Sequence, residues 1–136
     1  MNVYTLLLLG LVLFEVQPKY NVEFDRDLPT EITEMICTNF SKSEIIEIKN
    51  AGGVYIQFDI EVKSKEVVEI SFSEHAEGYL TQIGKRRMSP ELKSKILLDI
   101  LELNIEVANV DRFPESDKEE TIQRVILITR GEEICF

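Results

Sequence analysis

Few residues in this 136-residue chain are equipped for chemistry. The single histidine, His75, stands between Glu74 and Glu77. An imidazole beside carboxylates can ligate a metal or move a proton. A zinc site takes three or four N, S or O ligands from separated positions, and the chain has one imidazole. The simpler reading of His75 is a loop residue at a strand end. Cys37 could pair with it as a nucleophile, but a thiol among the apolar residues of a helix is buried and inert. No dinucleotide-binding glycine motif, phosphate-binding loop, nucleophile elbow or C-x-x-C spacing occurs. The expectation is no catalytic residue, no metal and no cofactor.

Two charged constellations remain. Lys85, Arg86 and Arg87 stand just before a helix start at Ser89-Pro90-Glu91. Cations beside a helix N-terminus make an anion site for phosphate, a nucleic-acid backbone or an acidic partner. The intramolecular alternative is that an acidic protein neutralises these bases with its own carboxylates. The second constellation is acidic. In Val54-Tyr-Ile-Gln-Phe-Asp-Ile-Glu-Val62, apolar and polar residues alternate without a break. That is the period of a strand with one face buried and one face wet. Tyr55, Asp59 and Glu61 fall on the face expected to be wet. If the apolar faces of this strand and the next coincide, the intervening loop holds an odd number of residues. A three-residue loop sets Asp59 opposite Glu69, and a five-residue loop sets Glu61 opposite Glu69. Opposed carboxylates destabilise a strand pair. They make Tyr55, Asp59, Glu61 and Glu69 a candidate surface for a basic partner, against the plainer reading of a solvated face.

The elements that would position these residues can be read in order. Leu28, Ile32, Met35, Ile36 and Phe40 form one apolar stripe, preceded by Asp27, Pro29 and Thr30 as capping residues, so a helix is expected over about 29–41. Glu44–Lys49, the Val54 strand and Glu66–Ser73, linked by short Gly- and Ser-containing turns, read as an antiparallel meander over 44–73. Val68, Ile70 and Phe72 would continue its apolar face. Tyr79–Ile83 is a short apolar element. Leu92, Ile96, Leu97, Ile100 and Leu101 give a second helix over about 90–104. Strands follow at 105–110, 121–129 and 132–136, with a polar, exposed loop over 111–120. The fold class is α+β, a single domain over 1–136. Its sheet is largely antiparallel and is packed by two amphipathic helices.

Composition bounds the rest. The chain carries 25 acidic and 15 basic side chains, a net charge of −10. Residues 85–95 run against this, with five bases to one acid, Glu91. An acidic body repels nucleic acid and attracts basic proteins. Cys37 and Cys135 are too few for a disulfide scaffold, and two reduced, largely buried thiols are expected. The apolar run Val3–Phe14 is too short for a membrane-spanning helix. It reads as a buried core segment, most simply a central strand although its leucines would equally allow a buried helix, with a secretory signal or anchor as the competing reading. Asn39-Phe-Ser41 matches a glycosylation acceptor, which matters only in a secreted chain.

These features favour a non-enzymatic, cytoplasmic binding protein that docks on and neutralises a basic protein, of the inhibitor or toxin-immunity type. Complementary charge would give fast and selective association. One alternative is a small anion- or phosphate-binding domain or enzyme built on Lys85, Arg86 and Arg87. Another is a secreted or membrane-tethered domain with its signal or anchor in residues 1–17. Neither nucleic acid nor a membrane is the favoured partner.

Overall fold

The computed structural model describes residues 12–13, 20–112 and 121–135, and the statements below concern those residues. The fold is α+β. Its elements are β1 (Val12–Leu13), β2 (Tyr20–Phe24), α1 (Leu28–Asn39), α2 (Lys42–Asn50), β3 (Gly53–Glu61), β4 (Glu66–Phe72), α3 (Glu74–Gln82), α4 (Pro90–Glu102), β5 (Val107–Arg112), β6 (Ile122–Arg130) and a 3-10 turn at Gly131–Glu133. Four strands form an antiparallel sheet in the order β1-β6-β3-β4, and β2 pairs with β5 in a separate ribbon.

The two expected helices form where their signals lie. Asp27 caps α1, its carboxylate accepting from the Thr30 backbone and hydroxyl. Ser89 caps α4, with Pro90 in the first turn. Two further helices replace expected strands or links. Residues 44–49 are not the first strand of a meander but part of α2. Ser41 and Glu44 close a reciprocal capping box, which satisfies two otherwise orphaned backbone donors and fixes the helix start. The apolar element at 79–83 belongs mostly to α3, capped by Ser73. The segment expected as a last strand opens instead with the 3-10 turn.

β3 is the centre of the molecule, bonded on one side to β4 and on the other to β6. Val54, Ile56, Phe58 and Ile60 point into the main core with α1, α2 and α4, through Ile32, Ile36, Ile48, Ile96 and Ile100. The β2–β5 ribbon joins the same core through Val22, Phe24, Val107 and Val110. The opposite face of β3 is buried as well. Tyr55 packs with Ala76, Leu80, Ile126 and Ile128, under α3. A central strand is thus covered on both faces although its sequence alternates.

The β3–β4 register is set by two features together. Residues 62–65 form a four-residue turn pairing Glu61 with Glu66, and an irregularity beyond Ile60 restores Asp59 opposite Glu69. The extra residue is Val68, which is exposed, while Val67 packs against the core in its place. An even loop plus a bulge gives the same parity as the expected odd loop.

Val12 and Leu13 pair with β6 at the edge of the sheet, not at its centre. The rest of the apolar run, and the loop at 113–120, lie outside the described residues.

Cys37 and Cys135 are joined in a disulfide, with Cα atoms 5.5 Å apart. This overturns the expectation of reduced, buried thiols. Both residues are exposed. The buried stripe of α1 runs through Met35 and Ile36, and Cys37, next along the helix, falls on its solvent side. Ile134, fully buried, anchors the chain end and presents Cys135 to it.

A basic-rimmed apolar cleft as the candidate site

The expected acidic face is not a free surface. Tyr55 is 1% exposed and Asp59 is 6% exposed. Asp59 faces Arg124 across the β3–β6 ladder and accepts from its guanidinium at 2.9 and 3.3 Å. An aspartate already paired in a nearly dry setting has little left to offer a partner. Glu61 is half-buried and accepts from the Ser64 hydroxyl at 2.6 Å. Of the four residues, only Glu69 is fully exposed. Residues 54–61 alternate, but the face opposite the core is not wet, since α3 lies over Tyr55 and Asp59 is buried against Arg124.

The three basic residues also separate. Arg87 donates to Glu77 Oε1 at 3.0 Å. Lys93 and the Tyr55 hydroxyl both donate to Glu77 Oε2, the latter at 3.3 Å. Burial alone would raise the Glu77 carboxyl, but the Lys93 hydrogen bond and the charges of Lys93 and Arg87 hold it below its ordinary value. Burial first, and then the Glu77 charge, push the Tyr55 phenol well above its ordinary range. This cluster braces α3 and the link to the sheet. Arg86 and Lys85 are exposed, and their backbone N–H groups bond Asn50 O and Leu80 O at 3.0 Å, tying the link to the ends of α2 and α3.

Lys85 opens onto a cleft of about 460 Å³. Tyr79, Leu80 and Ile83 from α3 and its cap form one wall, and Ile128 of β6 faces them. Gly52 forms part of the lining, with Leu80 and the Lys85 stem lying directly over it. The rim carries Lys49 at the end of α2, Lys85, and Arg130 at the end of β6, against one acid, Glu132. Lys49 donates to Gly131 O at 2.9 Å. Arg130 is shared between Glu132 and Glu133. Lys85 has no ion pair among the described residues. Tyr79 is 60% and Ile83 55% exposed, so the apolar lining continues outward at the mouth. Volume, apolar lining and a few converging charges are the usual attributes of a small-molecule site.

Lys85 is therefore the one expected anion-site residue in this cleft, and its companions are Lys49 and Arg130 rather than Arg86 and Arg87. Nothing in the spacing of residues 49, 85 and 130 announces this, because their meeting depends on β3 pairing with β6 and on α3 folding back. The local hint is Tyr79 and Ile83, four apart on α3 and its C-cap, with the buried side of the helix built from Ala76 and Leu80.

His75 is exposed in the first turn of α3. Among the described residues, no cluster of three His, Cys, Asp or Glu side chains could hold a metal. Cys37, being in a disulfide, offers no thiolate. Asn39 is exposed at the end of α1, its amide 3.4 Å from Asp99. Among the described residues no helix is long and apolar enough to cross a membrane.

No protein-family model, curated protein or solved structure matches this chain.

Proposed function

We propose that the protein is a non-enzymatic binding module and that its site is this cleft, taking a small anionic ligand. The observation that carries the reading is the reversal of charge at the rim. In a chain of net charge −10, three cations to one carboxylate surround an apolar hollow. Such a rim attracts an anion, and the apolar floor holds the body attached to it. The basic-partner reading keeps the net charge and the exposed Glu69, but the burial of Tyr55 and Asp59 lends it less support than the cleft. The disulfide favours an oxidising compartment over the cytoplasm, since exposed thiols are kept reduced there.

Lys49 and Lys85 also stand near the carbonyl ends of α2 and α3, where the helix dipole favours cations. Capping and ligand binding are separated by one experiment. Small organic anions and their neutral isosteres are titrated into wild type and Ile83→Glu by ligand-observed NMR. Anions binding at least severalfold better than isosteres, with binding lost in Ile83→Glu, is the expected result. Equal saturation of both variants would sink the cleft reading and leave the lysines as helix caps.

A further inference from the structure

We infer that the ligand is an aliphatic monocarboxylate, its carboxylate on Lys85 and its alkyl chain along Leu80, Ile83 and Ile128. This rests on the cleft being the binding site. Three observations select the class.

The first is the number of cations available. Arg130 is already matched by Glu132 at 3.9 Å and Glu133 at 3.2 Å, and Lys49 holds the Gly131 carbonyl. Lys85, exposed and without an ion pair among the described residues, is left to receive one negative charge. A phosphate group carries nearly two charges and prefers a forked guanidinium or several donors. Glu132 on the same rim repels a second negative charge. The head group is therefore a monoanion.

The second is the chemistry of the walls. The large side chains other than the rim charges are Tyr79, Leu80, Ile83 and Ile128. Beyond the Tyr79 hydroxyl these walls offer a hydroxylated or otherwise polar body no side-chain partner for the water it loses, and an alkyl body needs none.

The third is the mouth. Tyr79 and Ile83 are both more than half exposed, on a rim that a bound chain would cover. Each methylene drawn into such a cleft adds about 0.8 kcal/mol, which is about fourfold in affinity. The ligand class thus has a quantitative signature, a regular gain in affinity with chain length.

The test is isothermal titration calorimetry of the intact, oxidised protein with hexanoate, octanoate, decanoate and dodecanoate, each below its micelle concentration. Decanol and decyltrimethylammonium serve as head-group controls. Affinity should rise by about fourfold per methylene until the cleft is filled. Decanol should bind about fivefold more weakly than decanoate, the scale of one partly exposed ion pair, and the ammonium more weakly still. Lys85→Gln should bring decanoate down to the level of decanol and leave decanol unchanged. Leu98→Glu, on an exposed part of α4, should change nothing. A flat chain-length series, or decanol binding as tightly as decanoate, would overturn the ligand class. Binding of other small anions, blocked by Ile83→Glu, would then still support the cleft. Equal losses from Leu98→Glu and Ile83→Glu would show adsorption away from the cleft and overturn both.

Discussion

Gly53, at the start of β3 and next to the cleft-lining Gly52, shows how tightly single residues are constrained. Its φ is +119°, and a Cβ there would lie 2.0 Å from the carbonyl oxygen of Thr129. The neighbour is backbone of β6, so it cannot swing aside. Gly53→Ala is expected to cost about 3 kcal/mol or more, read by urea unfolding. Gly78 is the opposite case. It lies inside α3, and a Cβ there meets nothing within 4 Å. Gly78→Ala should stabilise the protein by about 0.5–1 kcal/mol. A loss of stability in Gly78→Ala would mean that α3 is not helical at this point. Glu77 supplies a pH-dependent contribution. Its folded carboxyl is held below the ordinary 4.5, despite burial, by Lys93 and Arg87. A depressed folded pKa gives stability that is present above the unfolded value and is lost as pH falls through the folded one. Glu77→Gln should therefore cost about 2 kcal/mol at neutral pH, where charged hydrogen bonds are lost. Its deficit should shrink at pH about 3. A deficit independent of pH would place the effect in packing instead. Glu44 is likewise lowered, first by the Ser41 backbone N–H and then by Lys95, so the mutant keeps part of the acid sensitivity.

At the scale of elements, the disulfide governs one wall of the cleft. It joins α1 to Cys135, two residues beyond the 3-10 turn, across 98 positions of sequence. Gly131 and Glu132 of that turn line the cleft. By the chain-entropy model, a cross-link of this span stabilises the folded state by about 4–5 kcal/mol. The paired Cys37→Ser and Cys135→Ser variant should lose a stability of that order. It should also bind cleft ligands more weakly, since the wall is then held by noncovalent contacts such as buried Ile134, the Lys49–Gly131 contact and the Gly131 N–H bond to Gly52 O. Alkylation gives an independent check. Both cysteines are exposed, so iodoacetamide should label neither in the native protein and both after reduction. Labelling without reductant would contradict the bridge. Two of the helices, α2 and α3, are disguised in the sequence. The Ser41-x-x-Glu44 capping box was legible, and Ile45 and Ile48 lie one helical turn apart, but the β-branched run EIIEIK imitates a strand. Gly78 lowers the helical signal of α3, so only its apolar end stood out.

Across the whole molecule, both sheets draw on one core. The ribbon residues Val22, Phe24 and Val110 pack into the cluster formed by β3, β6 and three helices. Phe24 and Phe58 place their ring centroids 5.0 Å apart. The two sheets should therefore melt together. Far-UV circular dichroism and tyrosine fluorescence are expected to report one coincident urea transition. Separate midpoints would show the ribbon to be an independent unit. The charge of the molecule is distributed with similar economy. Three of the five bases at 85–95 are met from within, Arg87 and Lys93 by Glu77 and Lys95 by Glu44. At the cleft rim Arg130 is likewise met by Glu132 and Glu133, whereas Lys85 has no ion pair among the described residues.

The sequence by itself determined what depends on neighbours in the chain. Asp27 and Ser89 placed two helix starts, the apolar stripe of α1 placed its buried face, and the period of residues 54–62 placed β3. Local backbone chemistry and side-chain period are written at short range, so they can be read there. The tertiary structure decided what depends on residues far apart. It laid α3 over the Tyr55 end of the second face of β3, and Tyr55 and Asp59 both became interior groups. It aligned Asp59 with Arg124, 65 positions away. It brought Cys37 to Cys135, and it gathered Lys49, Lys85 and Arg130 around one hollow. An alternating strand shows that one face is apolar, but water is kept from the other face by whatever the chain later lays over it. Burial is a property of the assembled layers, and the candidate site exists only where those layers meet.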